Sequence, residues 1–225
     1  MNKKLTMTSG SMERHTVTNF SGSNLAKSDL AGVTARKGQF NGSALHGSDF
    51  SGADLSGSSF KSSDVRNAVF DGANLTDCSF LALDLTNASF NKSILVRTNF
   101  SSANLNGAKF MGVRLTDVTL TATDLRTTIF EGCLFDGVDF KYSDLSGQRF
   151  DGQTFIGVKF DRAALSNASF KGATLKNVSF HPGFTLTKKY YRLIKTICFD
   201  GATMDKLTYA ALKGMEANLS KVTVI

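Results

Sequence analysis

Large apolar residues recur at every fifth position from Phe20 to Phe180 without a break in phase. Of the 33 positions in this series, 31 are Phe or Leu; Val65 fills one, and Ala35 is the single small exception. A flat strand repeats every two residues and a helix every 3.6, so neither accounts for a period of five. The pattern instead predicts a chain that turns a corner every five residues and stacks upon itself. Around each large residue the other positions have their own character. In Asn41–Phe60 (NGSALHGSDFSGADLSGSSF), Ser43, Ser48, Ala53 and Ser58 stand two before the centres. Elsewhere that position holds residues such as Ala68, Cys78, Val113, Cys133 and Ala173. Residues i−2 and i of an extended segment share a side, so small and large side chains should both point inward. The three remaining positions favour Asp, Asn, Ser, Thr, Lys and Gly. These should face water, with Gly and Asn supplying the positive φ angles of tight corners.

The units SGADLSG (51–57), DGANLTD (71–77) and SSANLNG (101–107) carry this grammar most clearly. They resemble the pentapeptide-repeat family, whose signature is A-(D/N)-L-x-x. That resemblance covers residues 20–180 and implies an all-β fold: a right-handed quadrilateral parallel β-helix with four five-residue faces per coil. At about 20 residues per coil this means about eight coils and, at roughly 4.8 Å per coil, a rod of roughly 40 Å. From Phe40 to Phe110 the centres mostly alternate Phe and Leu, which places Phe on two opposite faces and Leu on the other two. Such a core is filled and leaves no room for a substrate.

The organisation that follows is a leader or N-terminal cap over 1–19, the β-helix over 20–180, and a capping or dimerisation segment over 181–225. A stacked array leaves unpaired backbone groups at its ends, which need covers. Pro182, the only proline, falls where the phase stops. Lys188–Ile197 (KKYYRLIKTI) spaces Tyr190, Leu193, Ile194 and Ile197 as one face of a helix, with Thr187 as its N-cap. Phe199–Met204 (FDGATM) reads as one more repeat unit out of phase, Asp205–Ala217 as a second helix, and Lys221–Ile225 (KVTVI) as a closing strand. Tyr190, Leu193, Ile194 and Ile197 are candidate cap or dimer contacts. The family often pairs through its C-terminal end, so the resemblance implies a possible homodimer.

The net charge of +7 changes meaning once divided. Residues 20–180 hold 16 Lys and Arg against 15 Asp and Glu, so the excess lies at the two ends. A nucleic-acid surface requires basic residues clustered along one face, and the array has none. No apolar run reaches the length of a membrane span, and residues 1–20 lack the apolar core of a secretory signal. Cys78, Cys133 and Cys198 show neither CxxC pairing nor disulfide spacing. They fit a reducing compartment, and the expected location is the cytoplasm, or a host cell reached by a leaderless secretion route.

No catalytic or metal motif survives inspection. His15, His46 and His181 are scattered, Cys198 has no histidine to activate it, and the Gly-rich steps precede no helix and so are not phosphate loops. No enzyme activity, metal or cofactor is expected. Two surface patterns remain. Asp64, Asp84, Asn104, Asp124 and Asp144 should stack as an acidic column. Some relatives mimic duplex DNA and bind type II topoisomerases, as certain quinolone-resistance proteins do, and such a column is what that mimicry needs. However, Arg66 and Arg126 share the face, and duplex DNA carries about one charge per 1.7 Å of axis, far denser than this. The other pattern is apolar: Val69, Ile94, Val96, Met111, Ile129, Leu134 and Ile156 fall at outward positions of two adjacent faces, whereas the remaining two faces expose only Leu81 and Tyr142. Exposed apolar clusters mark contact surfaces. The reading is a non-enzymatic scaffold that binds another protein. The alternatives are a bacterial secreted effector of the type III kind, which the resemblance to proteins of enteric pathogens suggests, and a topoisomerase-binding DNA mimic.

Overall fold

The computed structural model describes residues 18–182 and 188–225, with backbone alone at 188–190. Residues 1–17 of the leader, the Thr187 cap and the side chain of Tyr190 therefore lie outside the described residues.

From Asn19 onward the chain winds so that each residue lies beside the one twenty positions later, in parallel. Along the first face this links Asn19, Gln39, Ser59, Ser79, Asn99, Thr119, Asp139, Lys159 and Ser179 in one column. The remaining faces, centred on Leu25, Leu30 and Ala35, repeat the same step and close a quadrilateral coil. Two backbone bonds recur along the array. The centre donates to the next coil, as Phe40 N does to Ser59 O (2.8 Å), and the residue three beyond a centre closes the corner, as Ser43 N does on Phe40 O (3.2 Å). The second corner residue has positive φ at every corner from Gly22 to Asn177 except Thr127. A β-branched side chain disfavours that conformation. Non-glycine residues such as Ala82, Lys92 and Arg97 accept it, at a cost of about 1 kcal/mol or more each.

Along the fourth face the pairing is regular enough to make a seven-stranded parallel sheet. It contains β1 (Ile94–Val96), β3 (Arg114–Thr116), β5 (Leu134–Asp136), β6 (Thr154–Ile156), β7 (Thr174–Lys176), β8 (Thr203–Met204) and β9 (Thr223–Val224). The third face adds the pair β2 (Lys109–Met111) and β4 (Ile129–Glu131). As a continuous strand ladder this makes about six turns, fewer than the eight coils expected, because the coils before Ile94 are joined by isolated bridges.

Inside, the phenylalanines form the two opposed ladders that their alternation implies. Phe40 stacks on Phe60 at 4.9 Å and 6°, Phe50 on Phe70 at 5.2 Å and 3°, and the ladders meet edge to face, as between Phe50 and Phe60 (87°). Edge-to-face and offset contacts are the favoured geometries of aromatic pairs. In the coil where the first face carries Leu120 instead, the fourth carries Phe135, which stacks on Phe155 at 4.7 Å. The small inward residues do more than fill space. Ser43 Oγ donates to Phe20 O (2.6 Å), Ser48 Oγ to Leu25 O (2.9 Å), Thr98 Oγ1 to Leu75 O (3.0 Å) and Thr128 Oγ1 to Leu105 O (3.0 Å). A buried hydroxyl is tolerated only when bonded in this way. Gly38 occupies an inward position where a Cβ would come within 2.8 Å of Ala35 O and of the Phe40 ring.

The twenty-residue step fails once. Thr174 pairs with Thr203 and Ser169 with Cys198, nine residues beyond that step. The extra length holds α1 (Lys188–Ile194), which ends three residues short of the helix expected over 188–197. Phe199 nevertheless stacks on Phe170 at 5.5 Å, so FDGATM is the additional repeat unit that its sequence suggests. A second helix, α2 (Lys206–Gly214), and then β9 follow. Side chains just after α1 and at the start of α2 satisfy backbone N–H groups of the last coil. Thr196 Oγ1 accepts from Asn167 N (2.9 Å), Thr208 Oγ1 from Val178 N (3.0 Å), and Asp205 from Asn177 N. Asp205 also caps α2, accepting from Leu207 N (2.8 Å) and Thr208 N (2.9 Å). Ile194 and Ile197 are buried against the last coil and Leu193 is half-buried.

Phe80→Ala should remove about 3–5 kcal/mol of stability in chemical denaturation, because its ring is fully buried between Phe60 and Phe100. Thr208→Val, which keeps the shape but strands a buried Val178 N–H, should cost about 1–3 kcal/mol in the same assay.

Candidate interaction surface

With the core closed, chemistry and recognition are left to the outward positions. Ile94, Val96, Leu134 and Ile156 stand on the fourth face, and Val69, Met111 and Ile129 on the third, as the twenty-residue arithmetic requires. Four of them are exposed, with Ile94 at 51% and Ile129 at 42%; Val69, Val96 and Leu134 are half-buried. They do not form an unbroken strip. Arg114 lies between Ile94 and Leu134 in register and pairs with Asp136 at 2.7 Å, while Lys109 precedes Ile129 and Glu131 follows Met111. The corner joining the two faces is glycine at 52, 72, 112, 132 and 152, interrupted by Lys92. Bare backbone there lets a partner approach both faces at once. A cleft of about 600 Å³ lies along this corner, lined by Asp71, Asn91, Lys92 and Met111. On the other two faces Leu81 and Tyr142 are exposed, and Arg162 covers the Tyr142 ring at 5.3 Å.

Asp64, Asp84, Asp124 and Asp144 stand on the second face, and their oxygens are already engaged. Each accepts from the backbone two residues on, at 3.3, 3.0, 3.1 and 2.9 Å, closing its own corner. Arg66 also pairs with Asp64 at 2.7 Å, and Arg126 with Asp124 at 2.7 Å and with Asp144 at 3.5 Å. His46 approaches Asp64 at 3.5 Å. The arginine bonds hold the Asp64 and Asp124 carboxyls below their ordinary range.

A second set of carboxylates, placed just after the centres and not singled out by the residue pattern, staples one coil to the next. Asp71 accepts from Ser89 Oγ (2.6 Å) and Asn91 N (2.9 Å). Asp151 accepts from Ser169 Oγ and Lys171 N, and Asp161 from Ser179 Oγ and His181 N. Their partners lie 18 and 20 residues away, a signal visible only once the coil length is known. Burial raises the Cys78 thiol to about 12 and Cys133 to about 11, so both are inert core fillers. Cys198 is only half-buried, because it occupies an outward column beside Ser169. Among the described residues no group of three His, Cys, Asp or Glu could hold a metal ion, and no helix is long and apolar enough to cross a membrane.

The depressed carboxylates set a pH dependence. Asp64, Asp77 and Asp124 are lowered chiefly by their arginine bonds. At Asp151 and Asp205 burial acts upward, but the donors outweigh it. Folded values below the unfolded value of about 4 mean stability present above that pH and lost on acidification through the folded values. Thermal melts at stepped pH should therefore give a steady midpoint near neutrality and a falling one below about pH 4.

The profile of the pentapeptide repeat region matches residues 34–110 and 103–180. No curated protein matches the sequence. Among solved structures, the chain is similar to HetL, a pentapeptide repeat protein involved in heterocyst differentiation regulation in the cyanobacterium Nostoc sp. strain PCC 7120. That similarity is 19% identity and a TM-score of 0.40 over 80% of this chain and 86% of HetL. It is also similar to QnrB1, a plasmid-mediated fluoroquinolone resistance protein, at 20% identity and a TM-score of 0.47 over 88% and 95% of the two chains. A pentapeptide repeat protein of the Arabidopsis thaliana thylakoid lumen shares 29% identity at a TM-score of 0.29, over 60% of this chain and 69% of its own. The five-residue phase, the stacked quadrilateral coils and the profile match over most of the chain agree: this chain belongs to the pentapeptide-repeat family.

Proposed function

We propose that this chain is a non-enzymatic scaffold that presents its third and fourth faces to another protein. The observation carrying this reading is the gathering of Ile94, Met111, Ile129 and Ile156, all exposed, on two adjacent faces that meet at a nearly bare glycine corner. A surface held by a filled aromatic core is ordered before binding, so little conformational entropy is lost on association. Family members are generally non-catalytic structural or interaction proteins, which agrees with a molecule whose two core thiols are inert and many of whose carboxylates are engaged in its own corners. The second face argues against duplex mimicry, since Arg66 and Arg126 offset half the charge of the four-aspartate column that mimicry would need.

Replacing Ile94, Met111, Ile129 and Ile156 together by Ser changes only exposed side chains. The variant should keep the thermal midpoint of the parent within a few degrees and lose most partner recovery in affinity purification from the native host. Equal recovery of the same partner by both proteins would refute the assignment of this surface.

A further inference from the structure

We propose that Asn106–Gly107 is a self-modification site at which the asparagine deamidates, with the Thr127 hydroxyl relaying the proton. The sequence holds two Asn–Gly pairs, at 41–42 and 106–107, and the fold treats them differently. At the first, Gly42 N donates to Lys61 O (2.8 Å) as an ordinary corner amide. The Asn41 carboxamide oxygen accepts from Ser59 Oγ (2.7 Å) and Lys61 N (3.0 Å), and its nitrogen donates to Gln39 Oε1 (3.0 Å). Nucleophile and electrophile are both tied down.

At the second, the corner one coil above is the irregular one. Thr127 does not adopt the positive φ of its equivalents. Its hydroxyl, rather than a backbone carbonyl, receives Gly107 N–H, at 3.3 Å. The same Oγ1 donates to Asn106 Oδ1 at 3.0 Å. One hydroxyl thus touches both the nitrogen that would attack and the carbonyl oxygen that would be attacked, and a hydroxyl can accept and donate at once. Asn106 is exposed, so water reaches it. The glycine is fixed by its neighbours: φ is +68°, and an added Cβ would collide with Asn87 Oδ1.

The step balances without an oxidant or reductant. Gly107 N bonds to Asn106 Cγ, its proton passes to Thr127 Oγ1, and the Thr127 proton passes to Asn106 Oδ1. The tetrahedral centre collapses, the Cγ–Nδ2 bond breaks, and ammonia leaves with the Oδ1 proton, giving a succinimide. Water then opens either carbonyl, leaving an aspartyl or isoaspartyl residue at position 106. The new carboxylate stands one coil below Arg126 in the same outward column of the second face, so the modification adds negative charge to a face whose aspartates Arg66 and Arg126 only partly offset.

The test is incubation of the folded protein at mildly alkaline pH with peptide mapping by mass spectrometry. Position 106 should deamidate while position 41 stays intact. Thr127→Val, which keeps the shape without the hydroxyl, should slow the reaction by about tenfold or more, whereas Thr127→Ser should restore it; circular dichroism confirms that each variant is folded. The proposal is overturned if position 106 stays amidated in the folded parent while it reacts in the denatured chain. It is equally overturned if position 41 reacts as fast, or if Thr127→Val reacts at the parental rate or faster, which would make the hydroxyl a restraint rather than a relay.

Discussion

Almost the whole molecule depends on one register: apart from the single longer step that holds α1, each residue lies beside its counterpart twenty positions later. Because the step is constant, every position of the five-residue unit becomes a column, and a preference of the unit becomes a property of the rod. A Phe at alternate centres becomes two stacks of rings, spaced at 4.9–5.2 Å along Phe40, Phe60, Phe80 and Phe100. A Ser two before a centre becomes a hydroxyl that closes on a carbonyl of the coil below. The polar interior columns are thus compatible with a dry core, since each hydroxyl has its acceptor.

The same register explains how the array stops. A parallel stack has no natural end, and its last coil leaves N–H groups pointing into empty space. Here the substitutes are side-chain oxygens. Thr196, Asp205 and Thr208 receive Asn167, Asn177 and Val178 N–H. Meanwhile α1 and α2 lay Ile194 and Leu212 over apolar surface that would otherwise face water. The cap is a continuation of the ladder by other atoms, and it resumes the ladder itself at β8 and β9.

A core filled in this way leaves function to the surface, and most surface carboxylates are spent on structure. Asp and Asn before the centres bond the corner backbone, and Asp71, Asp151 and Asp161 after the centres staple adjacent coils. Arginines answer many of the rest, as Arg97 does for Asp77 and Arg149 for Asp151. What is left without an internal task is the set of exposed apolar residues on two adjacent faces. That is why those residues, rather than the more conspicuous aspartate column, support a binding role.

Much of this was legible in the residues themselves. A five-residue period of Phe and Leu held over 33 units admits only a chain that corners every five residues, and the faces carrying Ile94, Met111 and Ile129 follow by arithmetic. The extra unit at Phe199 was readable because it repeats the local grammar, even though the phase had shifted. Other features were not readable, because they pair residues whose separation means nothing until the coil length is known. Asp71 with Ser89, Thr208 with Val178 N, and Thr127 with Asn106 and Gly107 belong to this class. Nor could the pattern show that Val69, Val96 and Leu134 lean into their neighbours, or that Cys198 stays at the surface, since burial of an outward side chain is set by the residues above and below it. The sequence by itself determined the winding, because periodicity is a local property repeated. The tertiary structure decided which polar groups meet and how the ends are closed, because hydrogen bonds between coils depend on positions that only stacking brings together.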